Sequence, residues 1–467
     1  MPSTDKITIA IDTRILPRTW GGVAHATMGL VKALGALDGP EVYYLVVEDQ
    51  EQQDWLTPHL GANQRIVDRR QWLDERKNLR VAKTTPMLGF VKRVIRPGLL
   101  RAKNAIDRIL DEPVASSGPR LHVSDGFFES LRCDVLHIPH QHFVLAAVPT
   151  IYTPHDLQHL HYPQFFTAGE IARRETVYPA GCHFAKIVIA GTKWIKTDIV
   201  RQYALSPDKV QVIPWASPTL AYQEPTAAEI ADVRDRYGLH HPFAFYPAAV
   251  WPHKNHIRLL EAIAELRDRH GIVLRLVCTG SLADDYWLHH WPKVSARMKE
   301  LNLESQVKFL GFVDEAHMRA LYRLAEFLVL PSLFEADSCP IHEAWLEGVP
   351  VTCSNVTALP DQVRDAALLF DPLNIGDIGR ALVRMSKDAE LRTILVQRGY
   401  RRVRDFDWER TARAYRAVYR RVAGVPLSSD EVSLLAWDWM QTPEDVEKRI
   451  GPDRRRPALE GLPLHTT

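Results

Sequence analysis

Glu335 and Glu343 flank Pro340 in the stretch VLPSLFEADSCPIHEAWLEGVPVTCSNVTALPDQVRDAALLFDP, residues 329–372. The apolar run ending at Pro331 reads as a buried strand, and Pro340 suits the first turn of a helix. That reading puts Glu335 in the loop and Glu343 in the first helical turn. Amides at such a loop and helix end stabilise a phosphate or a developing anion. The pattern also fits a plainer reading, in which Glu343 complements the helix dipole and Glu335 is a solvated loop acid.

Three further places offer chemistry. In FAFYPAAVWPHKNHIRLLEAI, residues 243–263, an apolar strand runs through Lys254 into an amphipathic helix. Gly21 and Gly22 separate a strand from a helix in TRILPRTWGGVAHATMGLVKAL, where a glycine turn lets backbone approach a phosphate. Residues 134–166 hold His137, His140, His142, His155, His159 and His161. A metal site is the sharp alternative for that tract, but no third ligand stands at a telling spacing, and the expectation is no metal. Gly280 and Gly311 each follow a strand, where a turn glycine is equally at home.

The elements that must position these residues alternate. Short apolar runs fall at 6–13, 41–48, 134–139, 150–154, 186–190 and 209–214. A second series falls at 243–247, 274–279, 307–311, 327–331, 351–354 and 368–370. Amphipathic helical patterns separate them, which predicts βα repeats and parallel sheets. A Pro-, Ser- and Thr-rich stretch, residues 214–226, is the expected linker. Two doubly wound halves joined in this way leave a cleft, with ligands at the carboxyl ends of the strands.

The stretch 329–372 resembles the donor-binding signature of glycosyltransferase family four, a large family of retaining GT-B transferases of the "group 1" type. The family pattern is Glu-Gly-Phe-Gly-Leu-Pro-x-x-Glu-Ala, then Gly-x-Pro-Val and Ser-Asn. This chain has Glu335, Pro340, Glu343, Ala344, Gly348, Pro350, Val351, Ser354 and Asn355 in register. The resemblance implies that Glu343 binds the donor ribose, since carboxylate acceptors suit a vicinal diol. It implies that Glu335 holds hydroxyls of the donor sugar and that the amides of Ser338 and Cys339, beside Pro340, face sugar and phosphates. The chain departs from the pattern at Ala336, Asp337 and Ser338, which replace Gly-Phe-Gly. A need for positive φ there would strain them.

The same resemblance assigns Lys254 to the donor pyrophosphate, whose departure it assists without a metal. Ala249 stands where the family often has an arginine. His155, in YTPHDL, reaches the donor sugar from the N-terminal half, and Asp156 reads as a cap. Gly21 and Gly22 border the cleft opposite Lys254, and Gly311 lines the nucleotide. The implied architecture is α/β: a GT-B pair of Rossmann-like domains. Residues 1–218 hold the acceptor, residues 226–405 the donor, and residues 406–467 form a helix crossing back and a tail. Asp405 and Asp407 fall at that helix start, where caps are expected. The implied reaction is retaining transfer from a nucleotide-sugar, a substrate rather than a cofactor, to a glycan or lipid-linked acceptor. The alternatives are a nucleotide-sugar epimerase on the same fold and a degenerate transferase that binds without catalysis.

Bulk composition narrows the partners. Of 467 residues 46% are hydrophobic and 25% charged, and the formal net charge is +1, so nucleic acid is not expected. No apolar stretch of signal-peptide or membrane-spanning length is present, which reads as cytoplasmic. The five cysteines (Cys133, Cys182, Cys278, Cys339 and Cys353) form no Cys-x-x-Cys pair and read as buried thiols. Residues 76–108 are locally basic, with ten Lys or Arg against the single acid Asp107. Interleaved with apolar residues, they predict peripheral contact with an anionic membrane as readily as a solvated basic face.

Overall fold

The computed structural model describes residues 6–15, 22–76, 120–217, 224–282 and 290–437. Two parallel sheets dominate it. The first contains β1 (Ile7–Asp12), β2 (Glu41–Val47), β3 (Gln64–Asp68), β5 (Val135–Ile138), β7 (Thr150–Tyr152), β8 (Ile187–Ala190) and β9 (Val210–Val212). Their order is β3-β2-β1-β5-β7-β8-β9. A separate pair, β4 (His122–Val123) and β6 (Val144–Leu145), lies beside it. The second sheet contains β10 (Ala244–Pro247), β11 (Leu276–Thr279), β12 (Val307–Phe309), β13 (Phe327–Leu330), β14 (Val351–Ser354) and β15 (Ala367–Phe370), in the order β12-β11-β10-β13-β14-β15. Both orders reverse beside their first strand, as in dinucleotide-binding sheets, giving switch points at β1/β5 and β10/β13.

Strand composition explains the layers. Successive side chains point to opposite faces, and a parallel sheet buries both. In β1, Ile7, Ile9 and Ile11 join one core with Leu30, Val31 and Leu34 of the helix Gly22–Gly35. Ala10 faces the other core, with Tyr178 and Cys182 of the helix Ala168–Phe184. The helix Trp408–Val422 completes the first core through Ala412, Ala414, Tyr415, Val418 and Tyr419. The chain therefore crosses back after the second sheet and covers a face of the first. Trp408 lies so close to Gly29 that a Cβ there would stand 2.1 Å from the indole.

The structure adds to the sequence expectations and corrects one. β3 and the β4/β6 pair carry no sequence signal, since two or five residues with polar members show little alternation. The start of the expected linker is not loose. Thr411 Oγ1 donates to the Pro214 carbonyl at 3.0 Å, Trp408 Nε1 to the Ser217 carbonyl at 2.9 Å, and Trp215 Nε1 to the Tyr415 hydroxyl at 2.9 Å. The linker's residues 218–223 lie outside the described residues, as do 77–119, which hold nearly all of the basic segment, and 438–467. Arg76 is described: its guanidinium stacks over Trp72 at 4.5 Å and donates to the Asp125 carbonyl at 2.7 Å. Among the described residues no helix is long and apolar enough to cross a membrane.

Candidate functional site

The switch point of the second sheet sits between β10 and β13, and both loops leaving it carry charge. After β10 a short 3-10 turn, Pro252–Lys254, leads to Asn255, which opens the helix His256–His270 at φ 59°. Asparagine visits that left-handed region more readily than most residues. The Asn255 side-chain amide donates to the Pro331 and Pro372 carbonyls, both at 2.9 Å, tying the turn to the ends of β13 and β15. The Tyr246 hydroxyl donates to the Lys254 carbonyl at 2.7 Å, and the Leu333 amide to the His253 carbonyl at 2.7 Å. Lys254 is thus fixed at its backbone, with Nζ 2.6 Å from Glu335 Oε1 and side chains 17% and 8% exposed. A compact ammonium in a single contact can exchange a carboxylate oxygen for a phosphate oxygen.

Glu335 lies in the loop after β13, as read. Glu343 does not lie in the first turn of its helix. The helix spans Cys339–Leu346, so Glu343 falls in the second turn, beyond the dipole's short reach. Tyr322, from the helix Glu315–Leu324, donates to Glu343 Oε2 at 2.6 Å. Burial raises the Glu343 carboxyl, against that hydroxyl and against His25 of the helix Gly22–Gly35. Neither Tyr322 nor His25 carries a sequence signal.

The loop between the two acids differs from expectation in one detail. The Ser338 amide is taken: it donates to Gln362 Oε1 at 3.0 Å, and Gln362 Nε2 returns a bond to the Ser338 carbonyl at 2.9 Å. It is not free to face a phosphate. Cys339 and Pro340 open the helix, where first-turn amides have no partner inside the helix, and proline gives up one donor at no loss. Ala336, Asp337 and Ser338 all stay out of the left-handed region, so replacing Gly-Phe-Gly brings no backbone strain.

From the other half, His155 follows β7 with φ 68°. Its Nε2 lies 2.9 Å from the Pro139 carbonyl, which can only accept, so that nitrogen carries the hydrogen and Nδ1 is left as an acceptor. Burial lowers its pKa to about 4 and keeps the ring neutral. The ring stands edge-on to Trp215 at 4.9 Å. Asp337 reaches toward the same place, 3.9 Å from where a Cβ on Gly191 would lie. Burial raises its carboxyl to about 7, with the Glu335 carboxylate adding to the effect and the Ser338 and Trp215 amides opposing it. Leu333 and Phe334 plug the N-terminal core: Phe334 packs on His161 and Trp194, and Tyr162 donates to the Leu333 carbonyl at 3.1 Å. The carboxyl edges of the two sheets therefore face each other.

The remaining candidates separate. Gly22 starts its helix in the open, and Gly21 lies outside the described residues. Gly311 has φ 71° and accepts from the Gly280 amide at 2.8 Å, so its carbonyl supports the end of β11. Gly280 is required by its neighbours, since a Cβ would meet Ala248 and Ala249 backbone at 2.6 Å. The histidine tract forms no common ligand set: His137 meets Tyr419 and His161 pairs with Asp198, while His140 meets Asp12 and stands 5.7 Å, ring to ring, from His142. Among the described residues no three His, Cys, Asp or Glu are arranged to hold a metal. Asp407 caps its helix by accepting from the Arg410 amide, whereas Asp156 closes a turn just before the helix Gln158–His161 by accepting from the Gln158 amide. Four cysteines are buried and free, while Cys339 is half-buried.

The N-terminal edge carries a cluster that sequence reasoning missed. Arg14 donates from Nε and Nη2 to the two oxygens of Asp12, both at 2.7 Å, and from Nη1 to Glu48 at 3.2 Å. Although burial opposes it, Arg14 and His140 hold the Asp12 carboxyl well below the usual range. A crevice of about 680 Å³ runs outward from His25 between the helices Gly22–Gly35 and Trp408–Val422, past Lys32 and Arg413.

Comparison with known proteins agrees with this geometry. Residues 235–402 match the model for "Glycosyl transferases group 1", and residues 111–216 the model for "Glycosyltransferase Family 4". O-antigen chain mannosyltransferase B of Escherichia coli is 28% identical over 276 residues, covering 58% of this chain and 69% of that protein. The serotype-specific mannosyltransferase WbdA of Escherichia coli is 29% identical over 198 residues, covering 40% of this chain but only 23% of that longer protein. Anabaena HepE, solved in complex with UDP and glucose, superposes with TM-score 0.62 at 15% identity, over 89% of this chain and 100% of that one.

Proposed function

The chain belongs to the group 1 glycosyltransferases of family four and has their GT-B fold; from that premise we propose that it is a retaining hexosyltransferase that works without a metal. It takes a nucleotide-sugar donor and extends a glycan or lipid-linked acceptor. The single observation that carries this reading is the Lys254–Glu335 pair at the β10/β13 switch point, with Glu343 on the next helix. Glu343 holds the ribose diol. Lys254 leaves Glu335 for the diphosphate, and the freed carboxylate accepts from hydroxyls of the sugar. His155, through Nδ1, accepts from a sugar hydroxyl on the opposite wall.

The bond from the anomeric carbon to the diphosphate oxygen breaks while the acceptor hydroxyl oxygen bonds to the same face. The acceptor proton passes to the departing diphosphate oxygen, so configuration is kept. Lys254 and the helix-end amides act by stabilising charge on the leaving group, in a site already organised for it. Mannose is the first sugar to test, because the relatives named above are mannosyltransferases. The test supplies GDP-mannose, GDP-glucose, UDP-glucose and UDP-mannose with a lipid-linked mannoside, in EDTA, and reads product by mass and anomeric configuration by NMR. Transfer with retention supports the reading. Inversion, or transfer lost in EDTA and restored by a divalent cation, contradicts it.

A further inference from the structure

Thr357 lies in the loop between β14 and the short helix Leu359–Val363, at φ 50°. A β-branched residue is a genuine outlier there, and strained backbone at a site persists only when its surroundings enforce it. The enforcing contact is with Glu335. The Glu335 amide donates to Thr357 Oγ1 at 3.0 Å, and the same hydroxyl donates to the Glu335 carbonyl at 2.8 Å. The Ala358 amide reaches that carbonyl at 3.4 Å.

One hydroxyl therefore brackets the Glu335 backbone on both sides. Glu335 sits in a loop with no strand ladder to hold it, yet its carboxylate must meet Lys254 at 2.6 Å. Ala358, the next residue, is fully buried in the core of the N-terminal half beside Phe334. The segment Thr357–Ala358 thus touches both the acid and the contact that closes the cleft.

We propose that Thr357 is a positioning residue for Glu335: its hydroxyl, held at a strained backbone angle, sets the aim of the carboxylate at the donor sugar. The proposal rests on the reading of Glu335 as the sugar-side acid. A misplacement of about an ångström at a reacting group lowers turnover by up to about 100-fold, so a loss of about 10- to 100-fold is expected when the hydroxyl is removed. The nucleotide does not touch Glu335 on this reading and should bind as before.

Three substitutions separate positioning from plain structure. Thr357→Val keeps the branched shape and loses the hydroxyl. Thr357→Ser keeps the hydroxyl. Thr357→Gly loses the hydroxyl and relieves the positive φ, so the chain has a variant that folds without strain. Glu335→Gln is the reference. Calorimetry with GDP, UDP, GDP-mannose and UDP-glucose selects the diphosphate and sugar pair that the wild type binds most tightly, and turnover is then measured with that sugar. The expected result is normal diphosphate binding in all variants, slow turnover in Thr357→Val and Thr357→Gly, and rescue in Thr357→Ser. Full turnover in Thr357→Gly, or Thr357→Ser as slow as Thr357→Gly, overturns the proposal while Glu335→Gln stays inactive. Full turnover in Glu335→Gln removes the underlying role of Glu335, and the proposal falls with it.

Discussion

Two buried ion pairs sit at the switch points of the two sheets, and they are built differently. In the N-terminal half Arg14 grips Asp12 through two bonds from two residues away, with Glu48 and His140 alongside. In the C-terminal half Lys254 reaches Glu335 through a single contact across 81 positions. A planar guanidinium locked in a fork is hard to displace, whereas a point charge on a flexible stem exchanges partners readily. The first pair is a brace for the wall of the cleft. The second, on the function proposed above, is the pair that opens to take the donor diphosphate.

Substitutions should make that difference larger or abolish it. Arg14→Ala strands a carboxylate that is fully buried, and removing one partner of such a pair costs about 3–5 kcal/mol of stability. Melting should report that loss, with nucleoside diphosphate affinity kept in the folded fraction; a large loss of affinity would move Arg14 into the donor site. Lys254→Ala should instead lower turnover about 10²–10³-fold, the scale for one lost group that stabilises leaving-group charge. Its melting should be followed in parallel, because Glu335 also loses its cation. Near-normal turnover would make the second pair as structural as the first.

A smaller effect concerns Asp337. Its folded pKa is about 7 against an ordinary value of 3.8, so between those values the folded chain holds a proton that the unfolded chain releases. Stability from this group therefore falls as pH rises from about 4 to about 7. Asp337→Asn removes the penalty, and its melting temperature should gain on the wild type between pH 5 and pH 8. A constant difference across that range would mean the carboxyl titrates normally. The smallest effect lies in the basic segment. Replacing Lys92, Arg93 and Arg96 with glutamine should weaken sedimentation with anionic vesicles at low salt while nucleotide affinity stays put. Equal sedimentation with neutral vesicles would leave the segment as ordinary surface.

The same contrast governs what was legible in the sequence. All six strands of the second sheet fall close to the apolar runs that predict them, because most of those runs are closed by a proline, a glycine or an acid. The placement of Lys254 and Glu335 in the loops after β10 and β13 is legible for the same reason, since each loop follows an apolar run directly, while their proposed roles, and that of Glu343 on the next helix, come from the family resemblance. The partners that aim them were not readable. Tyr322, Gln362 and Thr357 reach these loops from other elements, and only the strand order brings them near. His25 comes from the opposite half of the chain. The histidine tract misleads in the other direction, since His137, His140 and His161 find their partners in Tyr419, Asp12 and Asp198 rather than in a shared ligand. Trp215 and Ser217 looked like linker because Pro, Ser and Thr surround them, yet the helix Trp408–Val422 holds both.

The most direct test of a donor site at the β10/β13 switch point is calorimetric titration of GDP and UDP into the wild type and Glu343→Ala. Tyr322 donates to Glu343 at 2.6 Å at the cleft, and a ribose diol would donate its hydroxyls to that same carboxylate. The wild type should bind one of the two diphosphates, and the variant should bind it more weakly by ~1–3 kcal/mol, the scale for losing a charged hydrogen-bond partner. Unchanged affinity in a variant that melts like the wild type would contradict the account.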